Sequence, residues 1–345
     1  MYYSFRYRLP MALSTVDMEP SGAHLRNSGN VRFSVPVPWL PGPESAARVR
    51  SILIVAGVPT VFVLAWSSAY VVGDLGVRST PPFTLLLARF GLAAVCMLVI
   101  AFVTKAAWPR GGRALAHIAV AGVLVQGVQF LAVYTGFKLG VPAAISSLVI
   151  GMNPLLTVLL ARPTLGERPA PKQLWGFLLG ATGVVLAVAK GLDFSEQYLA
   201  GIALTVLGLL ALSGGTVYQK RFCPEMDLRT GTAVQLVAST VLAAVCAFTF
   251  EDVHTDNFGV FAFSVGWLAL VNSILAFTLL FVMIRRGEVG RSSTMFFLVP
   301  SVTAMIASVT LREPLSWYAV GGFVLAAAGV LLAAQRRKGR STQGV

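Results

Sequence analysis

Long runs of apolar residues, separated by short polar segments, fill most of the chain after residue 50. A helix needs about 20 mostly apolar residues to cross the hydrocarbon core of a membrane. We expect helices because unpaired backbone groups are costly in lipid and the runs are too long for barrel strands. The pattern therefore predicts an all-α integral membrane protein with ten transmembrane helices at 52–73, 82–104, 114–137, 142–161, 172–190, 199–219, 229–250, 258–284, 289–311 and 315–335.

Composition agrees with a membrane protein, because 56% of the residues are apolar and only 12% are charged. A soluble domain carries roughly 25% charged residues, so the low charge excludes a soluble globule. The high apolar content excludes disorder for most of the chain. The three cysteines have no close spacing. They therefore indicate neither a disulfide framework nor a zinc site, and nothing in the sequence indicates a metal or a cofactor.

The net charge of +13 lies in short clusters between the apolar runs. This distribution argues against nucleic-acid binding, which needs a basic face on a soluble domain. Of the 27 Lys and Arg residues, 22 fall on one side of the ten predicted spans and 4 on the other, while Arg89 lies inside a span. By the positive-inside rule both termini are expected in the cytoplasm.

The two ends of the chain differ from its centre. Residues 1–50 contain four prolines close together, scattered Arg and Ser, and no apolar run. We expect a disordered cytoplasmic N-terminal extension without a secretory signal. Residues 336–345 are expected to form a basic cytoplasmic tail.

The two halves of the apolar region repeat each other at a constant shift of 146 residues. The shift covers five predicted helices, so the second copy should enter the membrane facing the opposite way. Inverted repeats of this kind are typical of secondary transporters, which hold their substrate between the halves near the membrane midplane. The expected repeats are 51–190 and 198–335, and the matched positions include Pro154 and Pro300, Glu167 and Glu313, Gly176 and Gly322, and Gly183 and Gly329.

Several motifs occur twice in register. Each copy has a proline in its fourth helix, then a glutamate before a turn, then a glycine-bearing fifth helix: MNPLLTVLLARPTLGERP with GFLLGATG, and LVPSVTAMIASVTLREP with GFVLAAAG. AWSSAY lies in the first helix and LLLARF in the second. In these features the chain resembles the EamA-type transporters of the drug/metabolite transporter superfamily, although Arg312 stands where that family usually has glycine.

The resemblance implies transport of a metabolite, usually its export, across the bacterial cytoplasmic membrane. Members of the family move amino acids, nucleosides, sugars or drugs, so the resemblance does not identify the solute. It also implies a multi-pass protein that needs no cofactor and whose partners are a small-molecule solute and membrane lipids; a homodimer stays open.

Arg89 is the charged residue placed well inside a predicted span. A charge there costs about 2.5–3.5 kcal/mol on insertion scales, so the side chain should face the bundle interior or a wet cavity. One hypothesis is contact with an anionic group such as a substrate carboxylate. The alternatives are snorkelling toward the outer surface or a structural pair with Asp74. Gln235, at the equivalent position of the second repeat, is polar but uncharged.

Other polar residues inside the predicted spans are candidates for the substrate site. They could line a cavity or tie helices together, and serine can also bond its own helix backbone. Gln126 and Asn272 stand at equivalent positions of the two repeats. The substrate-site candidates, besides Arg89 and Gln235, are Ser67, Gln126, Gln129, Asn153, Ser213 and Asn272.

Trp66 and Tyr70 are four residues apart, so they share one helix face that could stack a planar or amphipathic solute. The alternative is anchoring at the membrane interface. Tyr134 and Tyr218 are further aromatic candidates, and Tyr218, close to a predicted span end, is expected to be an interfacial anchor. Pro154 and Pro300 each remove one helix hydrogen bond and predict matched bends in helices four and nine.

The predicted function is a secondary transporter that exports a small metabolite, an amino acid or related amphipathic solute or a drug, by alternating access. The alternative is a non-transporting scaffold or sensor built on the same fold. No paired acids, nucleophile with a base, or HExxH motif indicates an enzyme. No Asp or Glu lies deep in a predicted span, so no carboxylate proton relay is visible in the sequence.

Overall fold

A computed structural model describes residues 43–165, 171–189, 195–276, 278–279, 298–313 and 317–334. The chain divides into two compact units, Met1–Gly57 and Val58–Val345. The packing below is that of the second unit. The N-terminal extension up to residue 42, the tail 336–345 and Glu167 lie outside the described residues.

The described residues form helices joined by short turns, and no strand occurs among them. The helices are α1 Pro43–Val77, α2 Pro82–Val103, α3 Gly112–Gly122, π1 Val123–Val128, α4 Gln129–Lys138, α5 Ala143–Gly151, α6 Asn153–Leu165, α7 Pro171–Ala189, α8 Glu196–Phe222, α9 Leu228–Phe250, α10 Phe258–Trp267, π2 Leu268–Ala276, α11 Leu298–Thr310 and α12 Trp317–Ala334.

Within the described residues, seven helical segments are long and apolar enough to cross a membrane. The remaining three predicted spans coincide with shorter apolar helices, Leu174–Ala187, Leu298–Thr310 and Trp317–Gly329. The all-helical membrane class is therefore confirmed, while the number of ten crossings stays a prediction. The seven segments are Thr60–Val77, Pro82–Val103, Gly112–Lys138, Ala143–Ala161, Glu196–Phe222, Leu228–Phe250 and Phe258–Ala276.

Helix α1 begins at Pro43, so residues 43–50 are helical although the sequence assigns them to the extension. Proline is well suited to the first helical position, because its fixed φ matches the helix and its missing N–H would be unpaired there anyway. The helix therefore starts before the first apolar run and continues into it without a break.

Helices α2 and α9 pack against each other in antiparallel orientation. Glu251, just after the end of α9, binds the backbone N–H of Phe83 at 2.9 Å and of Thr84 at 2.8 Å at the start of α2. At the opposite end the Thr230 hydroxyl donates to the Ala107 carbonyl at 2.7 Å. These two helices occupy equivalent positions of the two repeats.

Helices α7 and α12 form a second antiparallel pair of equivalent helices. A Cβ added at Gly183 would lie 2.6 Å from the Gly322 carbonyl oxygen, and one at Gly329 would lie 2.6 Å from the Gly180 nitrogen. Glycine lets the two backbones approach more closely than any other residue would. The repeated glycines of the sequence therefore lie in a helix interface.

The outer faces of α2 and α9 carry matching apolar stripes. Val95, Val99 and Phe102 are exposed on α2, and Val241, Val245 and Phe248 are exposed on α9. The spacing of three and four residues places each trio on one helix face. In a membrane these faces would contact lipid.

Two departures from regular helix occur in the middle of long apolar segments. Residues Val123–Val128 and Leu268–Ala276 are π-helical, and both regions overlap when one repeat is shifted onto the other. Helix α5 also ends at Gly151, and α6 begins at Asn153 after a single turn residue. Pi-helical turns are rare and frequently occur at functional sites.

Candidate functional site

Arg89 is the eighth residue of α2, roughly 10 Å along the helix from its start. Its Nη1 donates a hydrogen bond to the Tyr134 hydroxyl at 2.7 Å. Its guanidinium carbon lies 4.2 Å from the centroid of the Phe130 ring. Phe130 and Tyr134 are one turn apart on α4, so one helix face supplies both contacts. We call Arg89, Phe130 and Tyr134 the arginine cluster.

The arginine cluster is buried, with 3% of Arg89 and 1% of Tyr134 exposed. Asp74 pairs with Arg78 at 2.8 Å rather than with Arg89. Among the described residues no carboxylate lies within salt-bridge distance of Arg89, and its Nε has no hydrogen-bond partner. Within the described part of the chain, the guanidinium is therefore held by a neutral hydroxyl and an aromatic face, and no carboxylate serves as its counter-ion.

Helix α1 closes one side of the arginine cluster. A Cβ added at Gly73 would lie 2.7 Å from the Tyr134 hydroxyl oxygen, so only glycine leaves room for that hydroxyl. Tyr70, one turn earlier on α1, is buried in the same core cluster as Tyr134. Its predicted role in stacking a solute together with Trp66 stays a prediction.

The equivalent region of the second half is built differently. Gln235 Nε2 donates to Gln219 Oε1 at 2.9 Å, and Gln235 is 5% exposed. Gln219 is the repeat equivalent of Gly73, and Gln235 is the repeat equivalent of Arg89. A neutral amide pair therefore occupies the place that a glycine and a charged arginine take in the first half.

Asn153 lies at the break between α5 and α6. Its Oδ1 accepts hydrogen bonds from the Ser213 hydroxyl at 2.9 Å and from the Thr157 hydroxyl at 3.1 Å. Pro154 is the second residue of α6, and a Cβ added at Gly151 would lie 3.2 Å from Pro300 Cγ. The two repeated prolines therefore lie at or beside this break.

Ser67 and Asn272 bind backbone carbonyls of neighbouring helices. The Ser67 hydroxyl donates to the Val299 carbonyl at 3.2 Å, and Asn272 Nδ2 donates to the Ala65 carbonyl. Both side chains therefore tie α1 to the second half, although Asn272 Oδ1 is buried without a partner among the described residues. Trp66 is half-buried and packs on Phe62 at a centroid distance of 5.4 Å.

Gln126 and Gln129 differ from the other amide candidates. They are 6% and 3% exposed, and neither side chain makes a hydrogen bond to any residue that the structure describes. Gln126 lies in π1 and Gln129 begins α4, one residue before Phe130. Buried amides normally find partners, so these two stand apart from the amide candidates that bond to described residues.

Carboxylates cap helices at the end of the bundle where α2 and α5 begin. Glu313 Oε1 accepts from the backbone N–H of Ala143 at 3.1 Å. Burial raises the pKa of the Glu313 carboxyl above its ordinary value, against the opposing effect of that hydrogen bond.

At the start of α9 the hydrogen bond from the Arg229 side chain lowers the pKa of Asp227.

The sequence predicts neither a role for Phe130 nor the two π-helical segments, whereas Tyr134 is among its aromatic candidates. The spacing of Phe130 and Tyr134 by four residues was the available signal, since it places two aromatic rings on one face. Tyr218 instead pairs with His117 Nδ1 at 2.7 Å. Within the described part of the chain, no group of three or more His, Cys, Asp or Glu side chains could hold a metal ion.

The chain is a multi-pass membrane protein. Its helices are long and apolar, their outer faces expose apolar side chains, and polar side chains are buried between them. The EamA-like transporter family matches residues 53–189 and 199–335, so both halves carry the family's domain. The chain belongs to this family and is a membrane transporter. The offset between the two matched segments equals the shift of the repeat found in the sequence.

Known relatives carry transporter names. The chain is 30% identical to "Uncharacterized transporter YyaM" of Bacillus subtilis (strain 168), over 71% of this chain and 82% of the relative. It is 25% identical to "Uncharacterized inner membrane transporter YedA" of Escherichia coli (strain K12), over 83% and 93%. It is 26% identical to a "Probable amino-acid metabolite efflux pump" of the same strain, over 78% and 91%.

A crystal structure of another protein has the same fold. It superposes with a TM-score of 0.59 at 20% sequence identity, and the match covers 81% of this chain and 96% of that chain. At this identity the likeness concerns the fold alone.

Proposed function

We propose that the chain is a secondary transporter that exports a small metabolite across the bacterial cytoplasmic membrane by alternating access. In this proposal ten crossings form two inverted five-helix halves, and both termini are cytoplasmic. An amino acid or a related amphipathic solute is the favoured cargo, because one relative is named as an amino-acid metabolite efflux pump. Another relative is named as an inner membrane transporter, which supports the location.

The antiparallel packing of equivalent helices is the observation that carries this proposal. Helix α2 lies against α9 and α7 against α12, and each pair is related by the shift of the repeat. Two copies that face opposite ways can exchange conformations, so that one state opens inward and the other outward. A scaffold or a sensor has no need of this symmetry.

Buried polar groups between the helices also favour transport over a scaffold. A scaffold would gain support if apolar side chains filled the interface between the halves. Gln126 and Gln129 instead lie there, on π1 and α4 where these pack against α8, and no described residue forms a hydrogen bond with either side chain. Within the first half, Arg89 is buried as well, and an ionisable residue inside a membrane span usually marks a substrate or ion pathway.

Solute movement by the purified full chain in liposomes tests the proposal. Liposomes are loaded with a mixture of amino acids, nucleosides and sugars, and the loss of each solute is followed by mass spectrometry. We expect faster loss of at least one solute than from protein-free liposomes. Retention of every solute at the protein-free rate would contradict transport and favour the scaffold.

Topology is tested separately with reporters fused after Val345 and inserted in the turn 252–256. We expect the C-terminal reporter to be active only in the cytoplasm and the inserted reporter only outside. Both reporters on one side of the membrane would contradict the proposed arrangement of crossings.

A further inference from the structure

We infer that the arginine cluster is the subsite for the carboxylate of the transported solute, so that the substrate class is small organic monocarboxylates. The inference rests on the proposed transport function and names the chemical class of its solute. Three features of the Arg89 guanidinium support it: one edge has no described hydrogen-bond partner, one face is covered by aromatic rings, and no described carboxylate pairs with the charge.

The guanidinium of Arg89 has one edge in use and one edge free. Nη1 donates to Tyr134, whereas Nε has no partner and Nη2 donates to no described residue. The Nε–H and the neighbouring Nη2–H point in parallel, which is the edge that binds a carboxylate through two hydrogen bonds. Among the described residues, the edge suited to a planar oxyanion is therefore the one left without a partner.

The face of the guanidinium is covered and its orientation is restrained. The Phe130 ring lies 4.2 Å from the guanidinium carbon and the Phe90 ring lies 5.7 Å from it. Stacking on Phe130 and the bond to Tyr134 hold the guanidinium plane before any solute arrives. Binding at the free edge therefore needs little reordering of the Arg89 side chain itself.

The charge balance selects a monoanion. Arginine stays protonated in proteins, and a buried cation without a partner is costly. Among the described residues Arg89 is the only cation of the cluster, and no carboxylate pairs with it. One carboxylate would neutralise it, whereas a dianion would leave a charge unbalanced in the same surroundings.

The second half offers no equivalent anion site among its described residues. Gln235 is neutral and is already bonded to Gln219 at 2.9 Å. The described residues therefore provide one carboxylate subsite of this kind, and a solute binds with a fixed polarity between two otherwise repeated halves. Aromatic surroundings at Phe130 and Phe90 suit a solute whose carboxylate is attached to an apolar body.

Thermal unfolding of the purified full chain in detergent tests this with matched pairs of probes. The pairs are 3-phenylpropionate with 3-phenylpropanamide, and L-phenylalanine with L-phenylalaninamide. We expect each carboxylate to raise the unfolding midpoint with an apparent affinity at least tenfold tighter than that of its amide. Equal effects within each pair, or no effect of either carboxylate, would overturn the inference without any variant being needed.

Variants then locate the effect. Arg89→Gln installs the residue found at the equivalent position of α9, and it should remove the preference for the carboxylate. Lys138→Gln is the matched control, because it removes the same charge from the exposed end of α4. The preference should survive Lys138→Gln, and its survival in a folded Arg89→Gln variant would overturn the assignment.

Transport in liposomes separates this inference from the proposed function. A carboxylate that binds through Arg89 but is not moved would contradict transport and leave the subsite intact. Movement of solutes with no difference between acid and amide would support transport and contradict the subsite.

Discussion

Arg89 on α2 and Gln235 on α9 occupy equivalent positions in two repeated halves, yet only Gln235 has its polar side chain matched by a partner amide. The first half holds a buried cation against a hydroxyl and an aromatic ring. The repeat explains why both positions are polar and buried. The two halves therefore share their fold but not the charge at this position, which is an arginine in the first half and a neutral glutamine in the second.

The largest loss of stability is expected when the arginine of the first half is introduced at the equivalent position of the second half. Gln235→Arg would place an unpaired cation in a position that is 5% exposed and closely packed against Gly122. We expect a loss of about 3 kcal/mol in stability, the scale of an uncompensated charge inside a membrane. Membrane abundance and the unfolding midpoint measure it.

Gln235→Met serves as the control, because methionine is about as long as glutamine and, unlike the arginine variant, introduces no charge. It should cost only about 1 kcal/mol, the scale of one lost hydrogen bond. Wild-type stability of Gln235→Arg would contradict the comparison, because the second half would then tolerate the same buried charge.

Gly73→Ala should disrupt the arginine cluster from the side of α1, the helix that packs on Tyr134. The new methyl group would lie 2.7 Å from the Tyr134 hydroxyl oxygen and would push it away from Arg89. Overpacking of this kind costs about 1–3 kcal/mol. We expect a lower unfolding midpoint together with weaker binding of 3-phenylpropionate.

Gly214→Ala is the matched control for a methyl group added to a helix. Nothing lies within 4 Å of the added Cβ at that position. A gain of about 0.5–1 kcal/mol is expected there from helix propensity alone. Equal behaviour of the two variants would show that Gly73 does not hold space for Tyr134.

The starts of α2 and α9 are capped in different ways, which allows a third comparison. Glu251 caps α2 from the opposite half through two backbone N–H groups, whereas Asp227 is the N-cap residue of its own helix α9. Glu251→Ala should lower stability by about 0.5–2 kcal/mol. Asp227→Ala should cost less, because Asp227 is partly exposed and its cap bond reaches one backbone N–H. Thermal unfolding of the two variants side by side decides the order, and a larger loss at Asp227 would refute it.

The smallest effect concerns pH. Burial raises the pKa of Glu313 in the fold, so the folded state holds its proton more tightly than the unfolded state does. Stability contributed by this group is therefore highest below the ordinary glutamate pKa and falls as pH rises toward the raised value. Glu313→Gln should flatten that dependence in unfolding curves recorded from about pH 4 to pH 7. An unchanged slope in the variant would assign the dependence to other groups.

Much of the fold could be predicted from the sequence, because apolar runs and the constant shift between the halves report directly on helices that contact lipid and each other. The position of Arg89 inside such a run favours a buried side chain but leaves snorkelling toward the surface open, and the packing decides for burial. Its partners could not be predicted, since Tyr134 lies 45 residues away and the contact depends on how α2 and α4 pack. The cap on α2 comes from Glu251, 168 residues distant from Phe83, which no local pattern could indicate.

The π-helical segments were equally hidden. Residues 123–128 and 268–276 have the same apolar composition as regular transmembrane helix. No proline lies in either segment to signal the departure in backbone geometry. Gln126 and Asn272 were chosen as repeat partners from the sequence, and both lie in these segments.

We infer that a solute supplies the counter-ion that no described residue provides for Arg89. An experimental structure of the full chain with bound 3-phenylpropionate tests it most directly. We expect the carboxylate within hydrogen-bond distance of Nε and Nη2 of Arg89, with Nη1 still bonded to Tyr134. A carboxylate bound elsewhere while Nε stays unpaired, or Arg89 turned to pair with an acidic residue of the chain, would contradict the account.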